Sequence, residues 1–112
     1  MRAPHLNRKL VLEAPVRAAD GAGGFTQSWQ ALGVHYAEII ARTGREKAGV
    51  AVPLSRVAYR IVVRAGLVGA TSRPLPEQRF RDGARVFNIL AVAEADPLGR
   101  YLTCTAEEET VT

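Results

Sequence analysis

The sequence predicts an all-β fold, a small antiparallel β-barrel or sandwich of about six strands with one long projecting loop. Three observations carry that expectation. Apolar and polar residues alternate with a period of two along most of the chain. Clusters of Gly, Pro, Asp and Ser interrupt the alternation at short intervals, as turns do. No window shows apolar residues at helical spacing over a substantial length. Strands of this kind close into a barrel or sandwich because closure leaves fewer unpaired edges.

The first strand is read from RKLVLEAPV. Leu10, Leu12, Ala14 and Val16 share one face, Lys9, Val11 and Glu13 share the other, and Pro15 marks an edge or an end. AADGAGG follows, with Gly21, Gly23 and Gly24 between two strand-like runs, and reads as a hairpin loop with a glycine bulge. A phosphate cradle would need a helix directly after the glycines and a lysine at the P-loop position. FTQSWQAL alternates instead, with Phe25, Gln27 and Trp29 on one side.

VHYAEIIAR, residues 34–42, is rich in β-formers but its buried face is not set by the pattern. TGREKAGVAVPLS, residues 43–55, breaks the alternation with Gly44, Arg45, Glu46 and Lys47. It reads as a loop of about a dozen residues, a length that in compact domains often carries function. Residues 45–52 are also compatible with one or two helical turns.

In RVAYRIVVRAG, Val57, Tyr59, Ile61 and Val63 form an apolar face, with Arg56, Arg60 and Arg64 opposite. LVGATSRPLPEQ is a second irregular stretch. RFRDGARVFNILAVAEAD reads as a short strand, an Asp82-Gly83 turn and a long central strand apolar on both faces, Val86, Leu90 and Val92 on one and Phe87, Ile89 and Ala91 on the other. DPLG at 96–99 is a turn with proline preset at its second position. RYLTCTAEE is the last strand, and the acidic end from Glu107 to Glu109 is expected to fray.

The chain has the size of one domain, residues 1–112, with 1–5 and 109–112 expected to be frayed. A chain of this size hides roughly two thirds of its surface on folding, enough for one modest core. Apolar residues make up 47% and charged residues 23%, which does not suit a disordered chain. The net charge of +4 suits an anionic partner without demanding one. One cysteine, Cys104, excludes an internal disulfide and a cysteine metal cluster, and its alternation with Leu102 and Ala106 makes it a small core residue. The first ten residues lack the apolar core of a signal peptide, and no uncharged run suits a membrane span, so the chain is expected to be made and kept soluble in the cytoplasm or in an assembly built there.

No catalytic constellation stands out, and no enzyme activity, cofactor or metal is expected. His5 and His35 are distant and lack a patterned carboxylate, and Ser28 and Ser55 have no base that sequence identifies. The row Arg56, Arg60, Arg64 has three readings: a solvated strand face, a nucleic-acid-facing surface, or a protein interface laced with salt bridges. Aromatics do not interleave with it, which argues against a stacking platform for single strands.

In order, LNRKLVLEAP, DGAGGFTQSWQ, VHYAEI, GREKAG, YRIVVRAG, RFRDGARVFNILAVAEAD and YLTCTAEE resemble the phage head–tail joining family, the head completion or stopper proteins of tailed phages and gene transfer agents. The resemblance runs over residues 6–108. No single motif is specific, but their order and spacing are. Tyr36 stands where many members have a second tryptophan, and Phe87 where tyrosine is common; both keep an aromatic. The arginine-rich, alanine-rich composition would suit a prophage or gene transfer agent of a GC-rich bacterium.

The resemblance implies a structural neck protein: a homo-oligomeric ring, commonly a hexamer, below the portal and adaptor ring and above a tail terminator or tail tube. Double-stranded DNA would pass through its channel without sequence preference, and no membrane would be involved. Such a protein is assembled in the bacterial cytoplasm and resides in the virion or particle. Thr43–Leu54, with Gly44, Arg45, Glu46 and Lys47, would be the channel or plug loop, and Arg56, Arg60 and Arg64 would face a subunit seam or the channel. Gly21, Gly23, Gly24 and Trp29 mark the family, the tryptophan contributing a large buried surface beside the turn. Two other readings stay open: another neck or tail component such as a tail terminator, and a free-standing basic nucleic-acid-binding β-barrel.

Overall fold

Alternation does become strand throughout. The structure, a computed structural model, describes residues 3–42 and 56–109. It contains β1 (Arg8–Ala19), β2 (Phe25–Ala41), β3 (Arg56–Arg64), β4 (Arg79–Asp82), β5 (Arg85–Glu94) and β6 (Tyr101–Glu109), and no helix among the described residues. The strands form one closed antiparallel barrel in the order β1-β2-β3-β6-β5-β4. The projecting loop expected at residues 43–54 lies outside the described residues.

Inward positions fill the barrel. Leu10 and Leu12 of β1, Ile61 and Val63 of β3, Phe80 of β4 and Phe87 of β5 are fully buried. Leu102, Cys104 and Ala106 of β6 join them, so the last strand presents the face its alternation predicts. The acidic end does not fray: Glu107–Glu109 continue β6 and pair with both β3 and β5.

Two single-residue irregularities alter the expected faces. The β5–β6 register slips between Ile89 and Ala91, leaving Leu90 as an extra residue. One extra residue reverses the phase of all that follow. Val92 therefore turns to the core side with Phe87 and Ile89, instead of sharing a face with Val86 and Leu90, and Leu90 is exposed. A second slip opposite Leu12/Glu13 falls between Ala31 and Gly33 of β2, and the chain runs through it as one strand where sequence suggests two. Gly33 lies at that point, where an added Cβ would just touch Ser72 Cβ at 3.4 Å.

Ser72 belongs to the irregular stretch between β3 and β4, which folds across one end of the barrel. Pro74 is fully buried, Ala65 N–H bonds the Arg100 carbonyl at 2.9 Å, and Glu77 N–H bonds the Ile89 carbonyl at 3.0 Å. His35 meets the Ser72 carbonyl at 2.6 Å through Nε2 and sets its ring edge-on to Phe80 at 5.8 Å. The DPLG turn forms as predicted, with Gly99 N–H on the Asp96 carbonyl at 3.1 Å. The Asp96 carboxylate accepts the N–H groups of Arg100 and Tyr101 and the Arg100 guanidinium, which together hold its pKa below the usual aspartate range against burial.

β1 and β2 are longer than the barrel. β1 pairs with β4 only over Val11–Glu13, and β2 pairs with β3 only over Glu38–Ala41. Between those limits Ala14–Ala19 and Phe25–Ala31 pair solely with each other among the described residues. They form a two-stranded arm that leaves the body. Residues 15–23 and 25–28 are all exposed. Pro15 thus sits on a true edge, as its chemistry requires.

Candidate assembly surfaces

The arm is locked at its base by charge. Arg79 Nε donates to Glu13 Oε1 at 2.8 Å, and Arg81 Nε donates to Glu13 Oε2 at 2.9 Å. All three side chains stand on the outward face where β1 meets β4, and the Glu13 side chain is only 7% exposed. Burial alone would push the Glu13 carboxyl up; the two guanidiniums outweigh it and hold the pKa below the ordinary glutamate range. Arg79 also lies 3.9 Å over the ring of Trp29, a cation–π contact, with its position fixed by the bond to Glu13. Trp29 is therefore half-buried on the outer face at the foot of the arm, opposite Pro15, and not a core residue beside the turn as sequence suggested.

The arm's tip is organised by Asp20. Its Oδ1 accepts the N–H groups of Ala22 and Gly24 at 2.8 and 3.0 Å, and these bonds lower its pKa. Asp20 N–H bonds the Gly24 carbonyl at 3.1 Å and closes the hairpin. Gly21 and Gly23 have φ of +80° and +87°, which only glycine adopts without strain. Along the arm, Arg17 covers the otherwise exposed Phe25 ring at 4.6 Å.

On the body, Arg60 and Arg64 are exposed on the outward face of β3, on either side of the buried Val62. Arg56 begins the same strand opposite Glu109. The end of the barrel where β5 starts and β6 finishes is closed by Arg85, which meets Glu108 through Nε at 2.7 Å and Nη2 at 3.1 Å and reaches the Tyr59 hydroxyl at 3.4 Å. Arg85 lowers the Glu108 pKa against burial, while burial and then Glu108 raise that of Tyr59. A groove of about 430 Å³ runs where β2 and β3 diverge, lined by Leu6, Val34, His35, Tyr36, Arg64 and Gly66. Val34 and Tyr36 are more than half exposed there.

Among the sequence-predicted residues, Gly21, Gly23, Gly24 and Trp29 fall in one element, the arm. Arg60 and Arg64 fall on one face of β3. Gly44, Arg45, Glu46 and Lys47 lie outside the described residues, as does Ser55. Sequence reading missed the cluster of Glu13, Arg79 and Arg81, because its members come from strands distant in the chain. It also missed the Arg85–Glu108 pair, for the same reason. Among the described residues no group of His, Cys, Asp and Glu is placed to hold a metal ion.

Three comparisons bear on this arrangement. The family model described as phage head completion protein matches residues 1–109. The fold is similar to a chain of the virion of a native gene transfer agent particle, with a TM-score of 0.81 and 59% identity, covering 98% of this chain and 100% of that one. It is also similar to protein SF1141 from Shigella flexneri 2a, with a TM-score of 0.69 over 100% of both chains; at 17% identity that likeness concerns the fold alone. Among curated proteins none matches the chain.

Proposed function

The chain belongs to the phage head completion protein family, and on that premise we propose that it is a structural neck component of a tailed phage or gene transfer agent particle. Copies form a ring, commonly a hexamer in such proteins, below the portal and adaptor. The ring closes the DNA-filled head and offers a docking face to the tail. The observation that carries this reading is the 59% identity to a chain of a gene transfer agent virion along nearly the whole length. The described fold supports work that is mechanical: a closed core, an arm braced at its foot, and outward arginines.

In this reading Thr43–Leu54 narrows the channel, with Arg45 and Lys47 toward DNA phosphates and Glu46 toward a neighbour. Arg56, Arg60 and Arg64 line the seam between subunits or the channel wall. A head-to-tail contact that closes cyclically uses every interface, which suits a ring.

Removing the gene should leave filled heads that lose DNA and carry no tails. Normal tailed particles without the protein would overturn the reading. Deleting residues 45–50 should give assembled but leaky heads, and Arg60→Glu should impair neck attachment while the monomer stays folded. A particle image that places the chain on the head-facing end of the tail tube, below a separate stopper ring, would favour a tail terminator. Tight, steeply salt-dependent binding of the isolated chain to bare DNA would favour a nucleic-acid-binding barrel.

A further inference from the structure

We propose that the open edge of β2 along the arm is a strand-pairing site for a second copy of this chain. The proposal rests on the ring reading above and adds the surface that joins the subunits.

An isolated two-stranded ribbon is marginally stable in water. This one is exposed on both faces beyond Pro15, and among the described strands β1 and β2 pair there only with each other. The ladder also reveals which groups are left over. Pro15 has no N–H, so the pair Pro15–Trp29 sits at a site of the ladder that exchanges no hydrogen bonds. By alternation the N–H and C=O groups of Phe25, Gln27 and Trp29 point to the open side, as do those of Arg17 and Ala19 on the other strand.

The two edges are not alike. Proteins guard exposed edges with charge, proline or cover. The β1 edge is blocked at its foot by Pro15, while beyond it Arg17 and Ala19 keep outward N–H and C=O groups. The β2 edge from Phe25 to Ala31 has neither charge nor proline, and no described strand covers it. Pairing at this edge desolvates no ion of β2, and the Arg17 charge of an incoming β1 stands on the sheet face over a Phe25 ring, out of the hydrogen-bonding plane.

The geometry selects a second copy as the occupant. β1 and β2 run in opposite directions within the arm. A copy rotated about a ring axis and set beside the first brings its β1 against the first copy's β2, again antiparallel. Repetition gives a continuous antiparallel sheet of arms in which β1 of each copy meets β2 of the next. Pro15 stops that pairing at the foot of the arm, where β4 takes over at Glu13.

The test is amide deuterium exchange resolved to single residues, on the full chain in dilute solution and in its assembled state. Phe25, Gln27 and Trp29 should exchange freely when dilute and become protected on assembly, while Thr26 and Ser28 are protected in both. Gln27→Pro removes one outward N–H without touching the arm's own ladder; it should keep the melting temperature and weaken self-association by about tenfold or more. Gln27→Lys, which keeps the backbone intact, should weaken it in the same direction. Assembly with the three amides still unprotected would overturn the edge pairing and leave the ring reading standing. Absence of self-assembly, alone or in particles, would overturn both. Protection that appears only when a different particle protein is added would assign the edge to that protein and overturn the second-copy proposal.

Discussion

The body and the arm share two strands, and the same alternation runs through both. In the body, the inward face of β1 places Leu10 and Leu12 at 0% exposure. A few residues on, the same face carries Ala14 and Val16, and Val16 is 38% exposed. The outward face follows the same course. Glu13 is buried between two arginines, while Trp29 is held over its foot by one of them. The difference teaches that alternation reports which side a residue faces. Whether anything covers that side depends on how far the neighbouring strand extends.

The sharpest test of the contrast is a pair of phenylalanines. Phe87→Ala should cost about 3–5 kcal/mol by opening a cavity in the core. Phe25→Ala on the arm should stay within about 0.5 kcal/mol in the unassembled protein. Urea unfolding of both variants checks this, and a large loss for Phe25 would mean that the arm packs on the body.

Glu13→Gln comes next. It leaves two guanidiniums beside each other with one neutral acceptor and should destabilise by about 1–3 kcal/mol. Amide exchange should rise most at the foot of the arm, at Ala14, Val16, Ser28 and Gln30, whose N–H groups lie within its ladder. An equal rise across the barrel would show that the cluster braces the body and not the arm.

Acid should separate the two regions by pH. Glu13 and Glu108 both have folded pKa values below the ordinary one. Their stabilisation is complete above the unfolded glutamate pKa of about 4.3 and is lost as pH falls through the lower folded values. Melting temperature should therefore drop between about pH 5 and pH 2. Glu108→Gln should flatten that drop for the body, and Glu13→Gln should flatten the loosening of the arm.

The smallest effect belongs to the arm's tip. Gly23→Ala meets no atom but must hold a left-handed φ, a local strain of about 1 kcal/mol. The amides of Ala22 and Gly24 should exchange faster, with the melting temperature of the body unchanged.

The strands and the hairpin glycines were legible in the sequence because period-2 patterning and positive-φ turns are local. So was the core face of β6 at Leu102, Cys104 and Ala106. The face of Val92 was not, because nothing in NILAV marks Leu90 as the bulged residue; the slip is set by the partner strand. Nor was the place of Trp29. A large aromatic beside a turn reads as core until Arg79, fifty positions further along the chain and carried by another strand, is brought over it. Glu107–Glu109 read as a tail because charge suggests solvent, whereas Arg85 and two neighbouring strands hold them in place.

Cys104 has a practical corollary. It is the chain's single thiol, it is wholly enclosed, and burial pushes its pKa up to about 12. At neutral pH it stays protonated and out of reach of thiol reagents. A cysteine introduced at an exposed position would be the sole labelling point on a native background, so a fluorophore or spin probe can be attached there without first removing Cys104.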